Sequence, residues 1–499
     1  MMATGVAGAP SACLPDWDRI DWPRIQKQVY RLQVRIAKAV REKRWGKVAA
    51  LQRLLTHSLA AKLWAVRRVV TNKGKNTPGI DGKLWRTSRR RMNAVRSMRH
   101  RGYRPQPLRR IYVPKSSGKM RPLGIPTMQD RAMQALFALA LDPVAETLAD
   151  PNSYGFRKKR SIADAIGQCF LALCRKHSPQ WIWETDISAC FDRLSHDWLL
   201  ANIPINKRIL RGWLKCGYLE KEAFFETKAG TPQGGIISPL LANMALDGLE
   251  AAVNAVVPKR GAKVNLVRYA DDLIITGASP ALLKETVIPV VIDFLAERGL
   301  TLAEEKTRLG HINDGFDFLG VNIRKYDQKL LIKPSPQKVR SFLRELKAFI
   351  QSCAALPTDS FIRRLNSKLR GWAQSYRQVV AKKVFGWVDY CVYHYLRKWM
   401  RQRHRNKTDA WLKQHYFTRI GMRSEFYARA TNSSGEQEML FLFRAADLPI
   451  KRHDKVTGTA TPYDPAWSDY FKRRATKRMA QRIADRRFLS TCPLTRQAC

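Results

Sequence analysis

Two adjacent aspartates, Asp271 and Asp272, stand between apolar runs, Leu266-Val267 before them and Leu273-Ile274-Ile275 after. The pattern predicts a strand, a tight turn and a second strand, with both carboxylates held at the turn. Like charges ~4 Å apart repel by ~4 kcal/mol at an effective dielectric of ~20, so a fold that presents such a pair calls for a cation between them. An Asp-Asp pair alone is more often a solvated turn; the rest of the chain moves the reading toward a metal site. The segment from Trp181 to Asp192 delivers a third carboxylate, Asp186, from an apolar strand just before a turn into a helix. Two-metal phosphoryl transfer needs carboxylates that bridge two ions ~3.5–4 Å apart, one ion activating the attacking hydroxyl and the other stabilising the leaving oxygen. Asp186, Asp271 and Asp272 supply such a set. Asp192 competes for the upstream place, but it follows the turn and is expected on the helix, paired with solvent or with Arg193.

The elements around these carboxylates come in a telling order. Asp186-Ile-Ser-Ala-Cys-Phe191 is followed by Gly230-Thr-Pro-Gln-Gly-Gly235-Ile-Ile-Ser-Pro239, by Tyr269-Ala-Asp-Asp272 and by Gly315-Phe-Asp-Phe-Leu-Gly320. Upstream lie Ile111-Tyr-Val-Pro-Lys115-Ser-Ser-Gly-Lys-Met-Arg121-Pro-Leu-Gly-Ile-Pro126 and Ser153-Tyr-Gly-Phe156-Arg157. The series resembles the palm and fingers of a group II intron reverse transcriptase/maturase, and the resemblance runs from about Trp22 to about Arg474. It implies an α+β right-hand polymerase: fingers and palm of antiparallel sheet and helices, a helical N-terminal extension, a three-helix thumb and a small C-terminal DNA-binding region. The expected segments are 1–72 for the extension, 73–334 for fingers and palm, 335–420 for the thumb or maturase (X) domain, and 421–499 for the DNA-binding region.

The resemblance also assigns roles. Asp186, Asp271 and Asp272, with the Ile187 carbonyl, would hold two Mg²⁺ ions while a primer 3′-hydroxyl attacks the α-phosphate of an incoming dNTP in line. Lys115 and Arg121, on the fingers hairpin, suit the triphosphate, because a point charge and a planar fork can bracket its oxygens; a structural role for Lys115 stays open. Gln233, between Pro232 and two glycines, would approach the nucleotide where backbone must come close. Phe191 stands where related polymerases place an aromatic under the sugar, a steric gate against a 2′-hydroxyl; its ordinary alternative is a core residue. Lys306 holds the position proposed to protonate the pyrophosphate leaving group, or else is a surface partner of Glu304 and Glu305.

Composition agrees independently. The chain carries 90 basic and 41 acidic residues, a formal charge of +49, with the basic residues spread throughout. A long polyanion is the expected partner. No stretch approaches the ~18 uncharged apolar residues of a membrane span, no amphipathic anchor opens the chain and no secretory pattern is present, so no membrane partner is expected and the location is expected to be intracellular. The resemblance refines this to a bacterial cytoplasm, with association to the nucleoid when bound to DNA. Nine cysteines, an odd number without a Cys-x-x-Cys pair, argue against a disulfide framework and a zinc module.

From Trp22 to Val70 the periodicity predicts long helices with Val29, Leu32, Ile36 and Val40 on one stripe. Asn72 to Gly82 is dense in turn formers and basic groups, a loop with or without a phosphate contact. After Ser335-Pro336, residues Val339, Phe342, Leu343, Leu346, Phe349 and Ile350 fall at helical spacing. A second helix is expected from Ser360 through Tyr376, and a third, aromatic and basic, from about Val384 to Arg403. Arg363, Arg364, Lys368 and Arg370 would track a nucleic-acid backbone, or form a solvated face. In the final segment, Ile450 to Gly458 and Pro462 to Trp467 resemble the family's DNA-binding region. There Lys472, Arg473 and Arg474 are the candidate DNA contacts, and Cys492 to Cys499 ends where longer members begin an HNH endonuclease, so no nuclease is expected.

The expected function is an RNA-directed DNA polymerase that binds group II intron RNA, assists its splicing and copies it into target DNA, working on an RNA template with a DNA primer; a homodimer is compatible with the family. Two alternatives remain at this stage: a host-adopted reverse transcriptase in DNA repair or defence, and a splicing-only RNA-binding maturase, against which the three intact aspartates argue.

Overall fold

The computed structural model describes residues 16–114, 118, 120–258, 260–431 and 435–490, without the side chains of 486–490. Lys115, Cys492 and Cys499 lie outside the described residues.

The N-terminal periodicity is realised as three helices, Trp22–Arg41, Trp45–His57 and Leu59–Thr71. The first starts where the Asp21 side chain accepts the Arg24 N–H at 3.0 Å, with Pro23 in the opening turn. Val29, Ile36 and Val40 are buried as the stripe requires. They pack against the long helix Met128–Leu148, whose residues are almost all buried. The Asn72–Gly82 loop is pinned from below: the buried Arg131 donates to the carbonyls of Gly74 and Thr77.

Two sheets build the polymerase body. The hairpin β1 (Leu108–Pro114) and β2 (Met120–Ile125) is separated in sequence from β3 (Trp181–Ser188), and β4 (Tyr218–Glu220) with β5 (Ala223–Phe225) then joins the hairpin in the order β2-β1-β4-β5. The second sheet adds β6 (Asn265–Tyr269), β7 (Asp272–Gly277), β8 (Thr301–Leu302) and β9 (Arg308–His311) around β3, in the order β6-β7-β3-β8, with β9 also paired to β3. Helices cover both faces of this sheet. Alternating residues therefore enter two different cores: Trp183, Ile187, Leu273 and Ile275 pack on one side, Ile182, Val267 and Ile274 on the other. Such burial on both faces explains the near-continuous apolar run on each strand.

A three-stranded meander, β10 (Phe316–Phe318), β11 (Val321–Tyr326) and β12 (Lys329–Pro334), leads into the helices Pro336–Ser352, Thr358–Tyr376 and Lys382–Arg403. The second and third begin within two residues of the expected starts. The boundary placed at 420/421 falls inside a hairpin. Strand β13 (Phe417–Ile420) pairs with β14 (Arg423–Thr431), Ile420 opposite Arg423, and β15 (Gln437–Phe441) completes the sheet. Asn366 on the second thumb helix ties that sheet down, donating to the Phe441 carbonyl at 2.8 Å and accepting the Phe443 N–H at 2.7 Å.

The C-terminal segment returns across the molecule before the last helix, Ser468–Ser490. Asp164, fully buried on the helix Ile162–Leu173, accepts from Ser161 Oγ at 2.6 Å, the Val456 N–H at 2.7 Å, Arg474 at 2.8 Å and the His453 ring at 2.9 Å. Tyr463 donates to Asp142, Asp464 pairs with Arg41, and Tyr30 donates to the Pro462 carbonyl at 3.0 Å. Arg474 is thus turned inward onto a buried carboxylate, while the other two candidate DNA contacts on this helix, Lys472 and Arg473, stay exposed.

Burial alone would push the Asp164 carboxyl up, but the hydrogen bonds from His453, Ser161 and the Val456 N–H outweigh it and hold it down to about 2. A carboxylate depressed on folding adds stability above its unfolded pKa of ~3.9, and that contribution is lost as pH falls from ~4 toward 2. We expect Asp164→Asn to cost ~3 kcal/mol in urea unfolding at neutral pH, because Arg474 is left without its buried partner. Hydrogen exchange at residues 451–456 should accelerate in the same variant; unchanged protection there would show that Asp164 does not hold the segment.

Candidate active site

The antiparallel ladder of β3 and β7 sets Asp186 directly opposite Asp272. Tyr269 pairs with Asp272 across the next hairpin, so Ala270 and Asp271 form a two-residue turn. Ala270 takes a positive φ of 58°, a conformation that costs a non-glycine residue about 1 kcal/mol or more. The turn is held from two sides. The Ile187 N–H donates to the Asp271 carbonyl at 3.3 Å, and Gly155 lies so close that an added Cβ would sit 2.4 Å from the Ala270 nitrogen.

The sheet thereby brings together Asp186, Asp271 and Asp272. Asp186 is buried; one of its oxygens accepts from the Lys306 ammonium, while Oδ1 is enclosed with no hydrogen-bond partner among the described residues. Burial and the Asp186 charge raise Asp271, and burial with the charges of Asp186 and Asp271 raises Asp272 to about 6. Lys306 is raised in turn, chiefly by its bond to Asp186. An unsatisfied buried carboxylate oxygen beside two carboxyls short of positive charge fits a divalent cation. The side chains do not form a closed cage: among the described residues no three His, Cys, Asp or Glu side chains could hold an ion by themselves. Backbone, water or substrate would have to complete the coordination, as suits Mg²⁺, which keeps part of its hydration. Lys306 stands on Asp186 rather than on Glu304 or Glu305, which corrects the surface-pair alternative.

The nucleotide-side candidates meet in a second cluster. Arg121 on β2 donates to Gln233 Oε1 at 2.6 Å, and Gln233 Nε2 donates to Asp192 Oδ2 at 3.0 Å. Asp192 does lie on a short helix, Cys190–Arg193, but its carboxylate faces Gln233 instead of only solvent or Arg193. The Gly230–Gly235 loop docks on that helix, with the Thr231 N–H on the Phe191 carbonyl at 2.6 Å. Gly230, at φ 84°, has no room for a Cβ, which would come within 2.6 Å of the Phe191 and Asp192 carbonyl oxygens. Phe191 is half-buried, packs edge-to-face on Phe156 at 6.1 Å, and lines a cavity of about 360 Å³ with Asp192 and Gln233. Phe191 is therefore a cleft residue rather than fully enclosed core.

Two contributors escaped the sequence reading. Phe156, with φ 58° and 59% exposed, holds its ring against Phe191 at a conformational cost; it lies within a quoted motif, but only backbone geometry marks it out. Arg268, wholly buried on β6, pairs with Asp247 beneath the turn, and its backbone bonds Asn152 and Tyr154. Outside the palm, the basic thumb residues are largely engaged: Arg363 pairs with Glu438, Lys368 with Glu345, and Arg370 lies over the Phe443 ring, while Arg364 is exposed.

Three aspartates presented on a strand and an adjacent hairpin, beside a second hairpin that carries Arg121, are the arrangement of a template-directed nucleic-acid polymerase. Residues 113–323 match the family model for reverse transcriptase (RNA-dependent DNA polymerase), and residues 17–98 match that for the N-terminal domain of reverse transcriptase. Residues 339–417 match the group II intron, maturase-specific domain. The protein YkfC of Escherichia coli K12 is 32% identical over 338 residues, 57% of this chain and 87% of that protein. The group II intron-encoded protein LtrA of Lactococcus lactis is 37% identical over 199 residues, 38% of this chain and 33% of that protein. The chain belongs to the group II intron-encoded reverse transcriptase/maturase family, whose enzymes are RNA-directed DNA polymerases. Among solved structures, telomerase from Candida albicans with a telomeric RNA fragment aligns at TM-score 0.36 and 14% identity over 60% of this chain and 58% of that one, too loosely to carry an argument. No helix among the described residues is long and apolar enough to cross a membrane.

The close approach at Gly155 gives a direct test of the turn. Gly155→Ala forces backbone apart at Ala270 and should lower primer extension on an RNA template by about tenfold or more, since small misplacements of catalytic groups are costly. Full activity in that variant would show that the turn tolerates displacement.

Proposed function

We propose that this chain copies group II intron RNA into DNA by two-metal nucleotidyl transfer, as part of splicing and intron mobility into target DNA. The observation that carries the reading is the Asp186–Asp272 register with Asp271 in the adjoining turn and Asp186 Oδ1 left unsatisfied. Asp186, Asp271, Asp272 and the Ile187 carbonyl would hold two Mg²⁺ ions, which when bound would activate the primer hydroxyl and neutralise charge on the α-phosphate.

The remaining work falls to the protein's own groups. Lys306 orients the Asp186 carboxylate and is the candidate donor of a proton to the departing pyrophosphate. Arg121, fixed by Gln233, would meet the triphosphate, and Lys115, six residues before it in the sequence, would be the companion charge. Gln233 and Asp192 form the wall beside the sugar, and Phe191 closes the space where a 2′-hydroxyl would stand. Arg364 on the thumb, with Arg473 on the last helix, is the candidate charge best exposed to a nucleic-acid backbone; Lys472, though exposed, pairs with Asp469, and it, Arg363, Lys368 and Arg370 would have to exchange their present partners to join them.

Asp271→Asn should abolish primer extension on an RNA template while leaving RNA affinity within a few-fold, because it removes a metal ligand and no phosphate contact. Retained polymerase activity would sink the assignment. Phe191→Ala should raise ribonucleotide incorporation relative to deoxynucleotide; unchanged sugar discrimination would return Phe191 to a packing role.

A further inference from the structure

The third thumb helix, Lys382–Arg403, carries its aromatic residues on two faces. Phe385, Val388, Val392, Leu396 and Trp399 are buried as an amphipathic helix requires. On the outer face, Trp387 is 54% exposed and Tyr390 55% exposed. Their rings lie nearly parallel, 5.4 Å apart and inclined by 22°, and the His394 ring meets Tyr390 edge-on at 4.4 Å and 65°, closing that end of the pair. Lys383, Trp387, Tyr390, His394, Lys398 and Arg401 follow each other at steps of three or four residues and so form one stripe, ~27 Å long at ~1.5 Å per residue. Large rings on the solvent side of a helix gain nothing from burial, and an exposed apolar row of this kind marks an interaction surface.

We propose that this stripe is a stacking platform for unpaired nucleobases of a single-stranded nucleic acid, with Lys383 at one end and Lys398 at the other neutralising the flanking phosphates. The inference rests on the nucleic-acid-binding thumb of the proposed function and names a ligand conformation and residues that it leaves unspecified. Charge decides between occupants. Asp389, the carboxylate on this helix, turns away to accept the Ala445 and Ala446 N–H groups at 2.8 Å each. Asp409, on the neighbouring helix, is taken up by Arg397 and Arg401 at 2.9 and 2.5 Å. An aromatic row bracketed by cations, on a chain of net charge +49, disfavours a second copy of the same basic chain and suits bases strung on a polyanion.

The test uses the full chain and a short unstructured RNA, a DNA of the same sequence and a blunt RNA duplex, each end-labelled, at about 0.3 M salt so that phosphate-only binding is weak. Trp387→Ala combined with Tyr390→Ala should weaken single-strand binding about tenfold or more and leave duplex affinity within about twofold. The rings are exposed, so the variant should keep its fold. Trp387→Phe with Tyr390→Phe, which preserves stacking faces, should recover most of the affinity. Loss on RNA alone, or on RNA and DNA alike, identifies the source of the bases and supports the platform in either case. Unchanged single-strand affinity, or an equal loss on the duplex, would overturn it. So would unchanged binding with a fall in self-association, which would identify a second copy as the occupant. Binding is read without catalysis, so failure of the polymerase assignment in Asp271→Asn is a separate result.

Discussion

Two carboxylates face each other across a β-ladder, and that repulsion governs the palm. Asp186 and Asp272 occupy opposed positions, where Cα atoms lie ~4.5–5.5 Å apart, and a third carboxylate sits in the adjoining turn. A slip of the strands would separate the pair, but a slip of one residue would exchange the residues of the two cores on either side of the sheet. Hydrophobic burial therefore holds the charges in place. The Lys306 ammonium answers part of the repulsion, while burial first and the neighbouring carboxylates second keep the Asp271 and Asp272 carboxyls raised.

The positive charge of the chain has two destinations. Arg131 braces the carbonyls of Pro126, Gly74 and Thr77; Arg157 holds Glu146 with the carbonyls of Asp150 and Ser153; Arg298 takes those of Ala245 and Phe294. Each guanidinium spans several acceptors in a fixed fork, which a lysine could not do. A share of the +49 is thus internal carpentry, and the nucleic-acid surface is narrower than composition alone suggests.

Much of the site was legible because its chemistry is local in sequence. The Asp271-Asp272 turn lies between the strands that build it, and the thumb helices declare themselves through apolar spacing. Partners across the fold were not legible. That Asp192 takes Gln233, that Arg474 turns onto Asp164, and that Phe156 leans on Phe191 depend on residues brought together from distant segments. A basic residue on a helix reads the same whether its partner is a phosphate or a buried aspartate. The hairpin that spans the expected 420/421 boundary is a related case: Gly421 and Met422 turn between strands whose pairing the sequence does not announce.

The returning C-terminal segment also fixes an order of events. Its contacts to Tyr30 and Arg41 close loops of 432 and 423 residues. At a synthesis rate of ~5–20 residues per second, the first helices wait roughly 20–90 s on the ribosome before Pro462 and Asp464 exist to meet them. Pairings so distant in the chain form late and slowly. The polymerase body must therefore assemble first and receive its clasp last, so that a newly made molecule passes through a stage in which its two ends have yet to be joined.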